Sequence, residues 1–220
     1  MISIKNCPFF CSWSGGKDSC LAFYNAIGQG GCPRFLLTML TENGQRSRAH
    51  GLPITLLQKQ ALALGVELVT CSTSWYDYEA MLISALLEFK KNGVEAGVFG
   101  DIDLEAHRQW TQRVCSVADI QSYQPLWKKP RRDLLDELLE AGFKATIIAV
   151  KNAVLDKQFL GKTLNADTIC EIEKAGIDIC GEEGEYHTVI TDGPIFSTPL
   201  ELNTKKQILR DGYWFLEVDV

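Results

Sequence analysis

The segment Ser14-Gly15-Gly16-Lys17-Asp18-Ser19 stands directly behind a short apolar run, Pro8–Trp13, and directly ahead of a helical pattern carrying Cys20, Leu21, Tyr24 and Ile27. A strand that turns on two glycines into a helix start is an anion-binding arrangement. The glycines let the backbone approach a ligand closely, the unpaired N–H groups of the helix start point at it, and Lys17 with the two serines adds charge and donors. The spacing excludes a Walker A loop, because Cys11 stands where that loop needs a glycine and Asp18 follows Lys17 where it needs Ser or Thr. It is not the G-x-G-x-x-G fingerprint either. A glycine turn that served packing alone would have no use for a lysine, an aspartate and two serines, so the segment reads as a phosphate site.

The first 125 or so residues alternate short apolar runs with helical periods, the pattern of a parallel sheet covered by helices. Strands are expected at Pro8–Trp13, Phe35–Leu40, Val66–Cys71, Val94–Phe99 and Gln121–Gln124. Helices are expected between them: one opened by Pro53 and ended by Gly65, one over Trp75–Lys91 stopped by Asn92-Gly93, and one over Leu104–Ala118. The fold class is therefore α/β, a doubly wound parallel five-stranded sheet. After Pro125-Leu126-Trp127 the rhythm changes: a basic patch (Lys128, Lys129, Arg131, Arg132) leads into a helix with Leu134, Leu135, Leu138 and Leu139 on one face. A domain boundary is placed there, giving 1–127 and a smaller C-terminal α+β domain, 128–220. In the latter a strand (Phe143–Val150), a helix (Ala166–Ala175) and a terminal hairpin turning at Asp211-Gly212 are expected.

Charge narrows the function classes. Lys and Arg total 22 against 28 Asp and Glu, a net charge of −6, which argues against a broad basic face for nucleic acid. No run approaches the length of a membrane span, and no targeting segment is read at the start. The eight cysteines form no C-x-x-C pair and stand with no His at zinc-finger spacing, so they read as small buried hydrophobes in a reducing, cytoplasmic setting.

Further candidates fall at the carboxyl ends of expected strands, where a doubly wound sheet builds its site. Ser47-Arg48-Ala49-His50-Gly51 follows the second strand. Gly100-Asp101-Ile102-Asp103 follows the fourth, with His107 and Trp110 beyond, and Pro125-Leu126-Trp127 follows the fifth. Singly, each has a plainer reading: Asp101 or Asp103 as a helix cap, His107 as a core or capping histidine, Arg48 as a solvated charge. Gly181-Glu182-Glu183-Gly184-Glu185-Tyr186-His187-Thr188, followed by Asp192-Gly193-Pro194, sets three carboxylates within four positions. Such a cluster binds metal, orients an amine or acts as base; its plainer reading is a solvated acidic loop.

Ser-Gly-Gly-Lys-Asp-Ser resembles the PP-loop of the N-type ATP pyrophosphatases. The ordered set of motifs, from that loop through Ser-Arg-Ala-His-Gly, Phe-Gly-Asp-Ile, His-x-x-Trp and Pro-Leu-Trp to the acidic segment, is similar to the diphthine–ammonia ligase family, over nearly the whole chain. All three histidines lie inside these motifs. Ala49 departs from the family pattern, where a bulkier residue is expected. The chain resembles the short prokaryotic form, without the extra carboxy-terminal domains of longer eukaryotic members.

The resemblance implies ATP cleavage to AMP and pyrophosphate, with ammonia joined to a carboxylate of diphthine on the translocating elongation factor. It implies nucleotide contacts from Ser14, Gly15, Gly16, Lys17, Asp18, Ser19, Arg48, His50, Gly100 and Asp101, and magnesium at Asp18. It implies catalysis by Lys17, Asp18, Glu182, Glu185 and His187, and acceptor contacts from Trp127, Gly184, Glu185, Tyr186, His187 and Thr188. Free ammonia is the expected nitrogen donor. A protein acceptor is expected, a membrane partner is not, nucleic acid is disfavoured, and the oligomeric state, a homodimer included, stays open. Two other readings stand beside it: a PP-loop enzyme acting on tRNA or another small molecule, and a nucleotide-binding module without turnover.

Overall fold

The computed structural model describes residues 3–220. Five parallel strands, β1 (Pro8–Ser12), β2 (Cys32–Leu40), β3 (Glu67–Ser72), β4 (Ala96–Val98) and β5 (Gln121–Tyr123), form a sheet in the order β3-β2-β1-β4-β5. Helices α1 (Lys17–Gly28), α2 (Ile54–Leu64), α3 (Tyr78–Lys91) and α4 (Glu105–Val117) make the crossovers. The chain is the α/β fold its pattern implies. It runs from β1 outward to β3, then returns past β1 to lay down β4 and β5. The loops after β1 and β4 therefore part at the carboxyl edge, the switch point at which such sheets bind ligands.

Strand pleating sends alternate side chains to opposite faces, and the two faces have different covers. Phe10, Leu37 and Met39 pack under Leu82, Leu86 and Phe89 of α3 and Val114 of α4. Phe9 and Cys11 face α1 and α2, in a cluster that continues without a break into Ile147, Val189 and Ile190 of a second sheet. Local chemistry sets the boundaries. Gly65 takes the left-handed φ of 66° that closes α2. Helix α3 begins three residues later than its periodicity suggests, because Ser74 Oγ accepts the Asp77 N–H at 3.0 Å and holds residues 74–77 in a turn.

The second sheet is antiparallel, with β6 (Lys144–Lys151), β7 (Tyr186–Asp192), β8 (Asn203–Arg210) and β9 (Tyr213–Asp219) in the order β7-β6-β9-β8. Helices α5 (Arg131–Glu140) and α6 (Ala166–Lys174) accompany it. Asp211 and Gly212 both have positive φ, the requirement of a tight hairpin turn. No strand was expected at β7, since the acids and glycines before it mask its start; Thr188, Val189 and Ile190 are nevertheless buried. Three of the four residues of the basic patch are spent on ion pairs: Lys129 with Glu137 at 3.0 Å, Arg131 with Asp103 and Asp178 at 3.0 Å each, Arg132 with Glu173 at 2.7 Å; Lys128 Nζ lies 5.9 Å from the Trp127 ring centroid. Asp103 is thus a tie between the two halves of the chain, and the cap of α4 falls on Leu104 without a side-chain bond.

Candidate active site

Three segments meet at the switch point: residues 14–19 after β1, 100–102 after β4, and 181–188 running into β7. The first is tied to itself and to the third. Ser14 Oγ lies 3.0 Å from Ser19 Oγ and accepts the Gly16 N–H at 3.3 Å. The Lys17 N–H donates to Thr188 Oγ1 at 3.1 Å, and the Ile190 N–H to the Gly15 carbonyl at 3.0 Å. Gln60, fully buried on α2, completes the joint. Its Nε2 donates to the Gly15 and Ile190 carbonyls at 3.0 and 2.7 Å, and its Oε1 accepts the Trp13 Nε1–H at 2.9 Å.

Closeness explains the glycines. A Cβ on Gly15, at φ 81°, would sit 2.7 Å from Gln60 Oε1, and one on Gly16 would sit 2.8 Å from His50 Nε2. A Cβ on Gly100 would meet the Asp18 backbone at 2.8 Å, so the β4 loop can pass the start of α1 only as glycine.

A cleft of 280 Å³ opens among these segments, walled by Lys17, Asp18, Asp101, Glu182, His50 and His187. Lys17 is 5% exposed. Burial opposes its charge, but the Asp18 carboxylate at 2.8 Å, helped by Tyr186, raises its pKa above the ordinary lysine value, so it stays cationic. Glu182 Oε1 accepts the Ile102 N–H at 3.3 Å; burial first, then the charge of Asp18, pushes its carboxyl up to about 7. Asp101 is also raised by burial, against the Gln124 amide at 3.2 Å and His107. His50 and His187 lie 4.6 Å apart between ring centroids. Burial and then Lys17 lower His187 to about 4; burial, His187 and Lys17 hold His50 well below its usual value. Both rings are neutral near pH 7. Among the described residues no three His, Cys, Asp or Glu side chains stand at metal-ligand spacing. Asp18, Asp101 and Glu182 face one cleft without forming a closed ligand set.

A family model described as the diphthamide synthase N-terminal domain matches residues 9–122, and one described as the diphthamide synthase C-terminal domain matches residues 130–219. The chain belongs to the diphthamide synthase family. Among curated proteins it is similar to the diphthine–ammonia ligase of Rattus norvegicus, 26% identical over 93% of this chain and 86% of that protein. The Homo sapiens protein of the same name is likewise 26% identical over the same shares. A Schizosaccharomyces pombe relative of that name is 30% identical over 52% of this chain but only 20% of its own length. Relatives of this name thus occur in both long and short forms.

The remaining expected residues of this diphthamide synthase family chain are not all brought to the cleft. Gly184, Tyr186, His187 and Thr188 line it, Tyr186 beneath Lys17 with 5.4 Å between Nζ and the ring centroid. Glu185 does not, because its Oε2 accepts the Glu183 N–H at 3.0 Å and folds onto its own loop. Arg48 turns away from the phosphate site; its Nε donates to the Thr73 carbonyl at 2.8 Å and its guanidinium lies 4.8 Å from the Trp75 ring. Trp127 lies outside the cleft under Arg108, 4.7 Å from its ring centroid. Sequence reasoning missed Gln60, whose signal was a polar residue inside the apolar stripe of Leu56, Leu57, Ala61 and Ala63 on α2.

Ala49 is the junction of three cavities: the cleft itself, a 620 Å³ pocket with Tyr78, Phe99 and Trp110, and a 650 Å³ groove with Arg46, Arg210 and Tyr213. A bulkier side chain there would narrow the passage between them.

Proposed function

We propose that this chain is an ATP-dependent amidoligase that cleaves ATP to AMP and pyrophosphate and joins ammonia to the carboxylate of diphthine on the translocating elongation factor. The observation that carries this reading is the pair of hydrogen bonds Lys17 N–H to Thr188 Oγ1 and Ile190 N–H to Gly15 O. They bring the phosphate-binding turn and the acidic strand to one cleft, so a carboxylate activated on one wall is within reach of groups on the other.

The Ser14–Ser19 turn and the start of α1 hold the β- and γ-phosphates, and Lys17, kept cationic by Asp18, meets the charge that grows on the departing pyrophosphate. The aromatic pocket of Tyr78, Phe99 and Trp110, at the carboxyl ends of the parallel strands, takes the adenosine. The groove of Arg46, Arg210 and Tyr213 shares His187 with the 13-residue lining of the cleft and admits the acceptor. The acceptor carboxylate attacks the α-phosphorus, the bond to the β-phosphate breaks, and pyrophosphate leaves. Ammonia then adds to the acyl carbon, AMP departs with the electron pair of the broken C–O bond, and Glu182, pushed up to about 7, takes the surplus proton.

Magnesium fits this cleft. Two of its carboxyls, Asp101 and Glu182, are raised by burial and by neighbouring acids, an excess of negative charge that a hard cation offsets. Asp18, and Asp101 across from it, would hold the ion, which shields the phosphates. The eight cysteines are all free thiols, which suits a cytoplasmic protein.

The test is incubation of the protein with ATP, magnesium, ammonia and a diphthine-bearing elongation factor. Mass analysis should show carboxylate converted to amide, with AMP and pyrophosphate formed in step. ADP as the main nucleotide product overturns the reading.

A further inference from the structure

The turn between β3 and α3 leaves two large aromatic side chains in solvent: Trp75 is 70% exposed and Tyr76 96%. Rings of this size are costly to leave in water. The turn is nonetheless built to hold them still. Arg48 donates to the Thr73 carbonyl and lies against the Trp75 ring, Trp75 stacks on Tyr78 with centroids 5.5 Å apart, and Ser74 Oγ donates to Asp77 Oδ2 at 2.8 Å. Arg48, which the sequence offered as a phosphate ligand, is thus the post behind Trp75. Trp75 lines both the acceptor groove and the aromatic pocket, so the exposed rings stand on the rim of the site and not on a remote face. The same groove is lined by Arg46 and Arg210. Neither is neutralised at hydrogen-bond distance, since Glu217 lies 3.7 Å from Arg46 and Asp211 lies 3.6 Å from Arg210.

We propose that Trp75 and Tyr76, with Arg46 and Arg210, form the surface on which a folded protein acceptor docks, an acidic face of that acceptor meeting the two arginines. The inference rests on the amidoligase reading above. Residue type selects a protein: Trp, Tyr and Arg dominate the binding energy of protein interfaces, and rings already held in place lose little entropy on contact. Position selects the acceptor. The rim opens on the groove that shares His187 with the cleft, so a protein seated there can send one side chain inward. Two other occupants fit less well. A nucleotide base is clamped between two walls, and a ring 96% exposed supplies at most one. Nucleic acid would bring a row of phosphates to a chain of net charge −6, with Asp77 exposed beside Tyr76 and Asp211 exposed beside Arg210. A protein can instead place single carboxylates on the arginines.

Substitution at the rim tests this without touching the phosphate turn. In the full protein with ATP, magnesium, ammonia and a diphthine-bearing elongation factor, Tyr76→Ser and Trp75→Ala should each raise the KM for the elongation factor by about tenfold. Their kcat, and their calorimetric affinity for ATP-magnesium, should stay within about twofold of the parent. Tyr76 stands almost wholly in solvent, so it reads the surface even where Trp75→Ala disturbs the turn. Arg210→Glu should raise the same KM by a similar factor and flatten its dependence on salt. An acceptor KM within about twofold of the parent in both aromatic variants overturns the inference and leaves the amidoligase reading standing. Three other results overturn it in the same way: a loss of ATP affinity in step with the acceptor KM, which gives the rings to the nucleotide; inhibition by tRNA that the variants relieve, which gives them to nucleic acid; and a parent dimer that the variants dissociate, which gives them to a second copy of the chain. Failure of the unsubstituted protein to form amide at any concentration of elongation factor overturns the amidoligase reading and the docking surface with it.

Discussion

The two walls of the cleft are built on opposite principles. The wall formed by residues 14–19 and Gly100 is made of backbone: glycines where a Cβ would collide, a helix start, and one cation whose charge Asp18 answers at 2.8 Å. The wall formed by Glu182, His187 and His50 is made of side chains whose pKa values burial displaces, the carboxyl upward and the two imidazoles downward. One carboxyl is lifted to about 7, one imidazole is lowered to about 4, and His50 Nδ1 has no partner. A preorganised anion cradle needs fixed dipoles, whereas proton handling needs groups poised near neutrality. The contrast divides the chemistry by physical type, and it does not follow the order of the chain. Glu182 belongs to the second half of the chain, yet it bonds the Ile102 N–H and feels Asp18 directly.

The strongest way to break the comparison is at Lys17. Lys17→Ala should lower acceptor-dependent pyrophosphate exchange by on the order of 10²-fold, the scale for one preorganised electrostatic group. Residual exchange within tenfold of the parent would move the phosphate cradle elsewhere. The joint between the walls comes next. Gln60→Leu leaves the Trp13 Nε1–H and the carbonyls of Gly15 and Ile190 short of their buried partner. The cost should be about 2–3 kcal/mol of unfolding free energy in a urea titration, the range for buried polar groups left unpaired. A loss below about 0.5 kcal/mol would show that the joint is carried by the main-chain bonds alone.

How much of this was legible in the sequence follows from the same contrast. Backbone-made structure has a local signature, so the five parallel strands, their crossover helices and the phosphate turn could be read from apolar runs, periodicity and glycine placement. Side-chain-made structure depends on where distant segments land. Nothing local tells that Glu185 caps its own loop while Glu182, three residues earlier, reaches across to Ile102. Likewise Arg48 has the composition of a phosphate ligand, but its reach is taken by the Thr73 carbonyl and the Trp75 ring. Strand β7 was hidden because the acids and glycines just before it mask its start.

That difference between neighbouring acids is itself a prediction. Glu182→Gln removes a charge from the nucleotide side of the cleft and should change the apparent affinity for ATP-magnesium by about tenfold, with the magnesium requirement shifted, while Glu185→Gln should leave affinity within about twofold. Calorimetric titration of both variants decides it. Equal effects would mean that the acidic segment acts as a unit, and that the placement of the Glu185 carboxylate on its own loop does not persist with nucleotide bound.

The smallest effect is a tilt of stability with pH in metal-free protein, and its sign differs between Glu182 and His187. For Glu182 the folded-state pKa is raised from the usual 4.5 to about 7, so its contribution is fully present below about 4.5 and is lost as pH rises through about 7. For His187 the folded-state pKa is depressed from 6.5 to about 4, so its contribution is present above about 6.5 and is lost as pH falls through about 4. His50, also depressed, acts in the same sense as His187. Between pH 7 and 5 the carboxyl favours the folded state on acidification and the imidazoles disfavour it, so the parent protein should show a shallow dependence. Replacing one side exposes the other. Glu182→Gln should lose stability on acidification more steeply than the parent, and His187→Asn should lose less or gain. Thermal unfolding across that range, at fixed ionic strength with chelator present, reads the two slopes. Slopes of the same sign change in both variants would mean that the two groups titrate as one coupled pair, and the side-chain wall would then be a single proton store rather than two opposed ones.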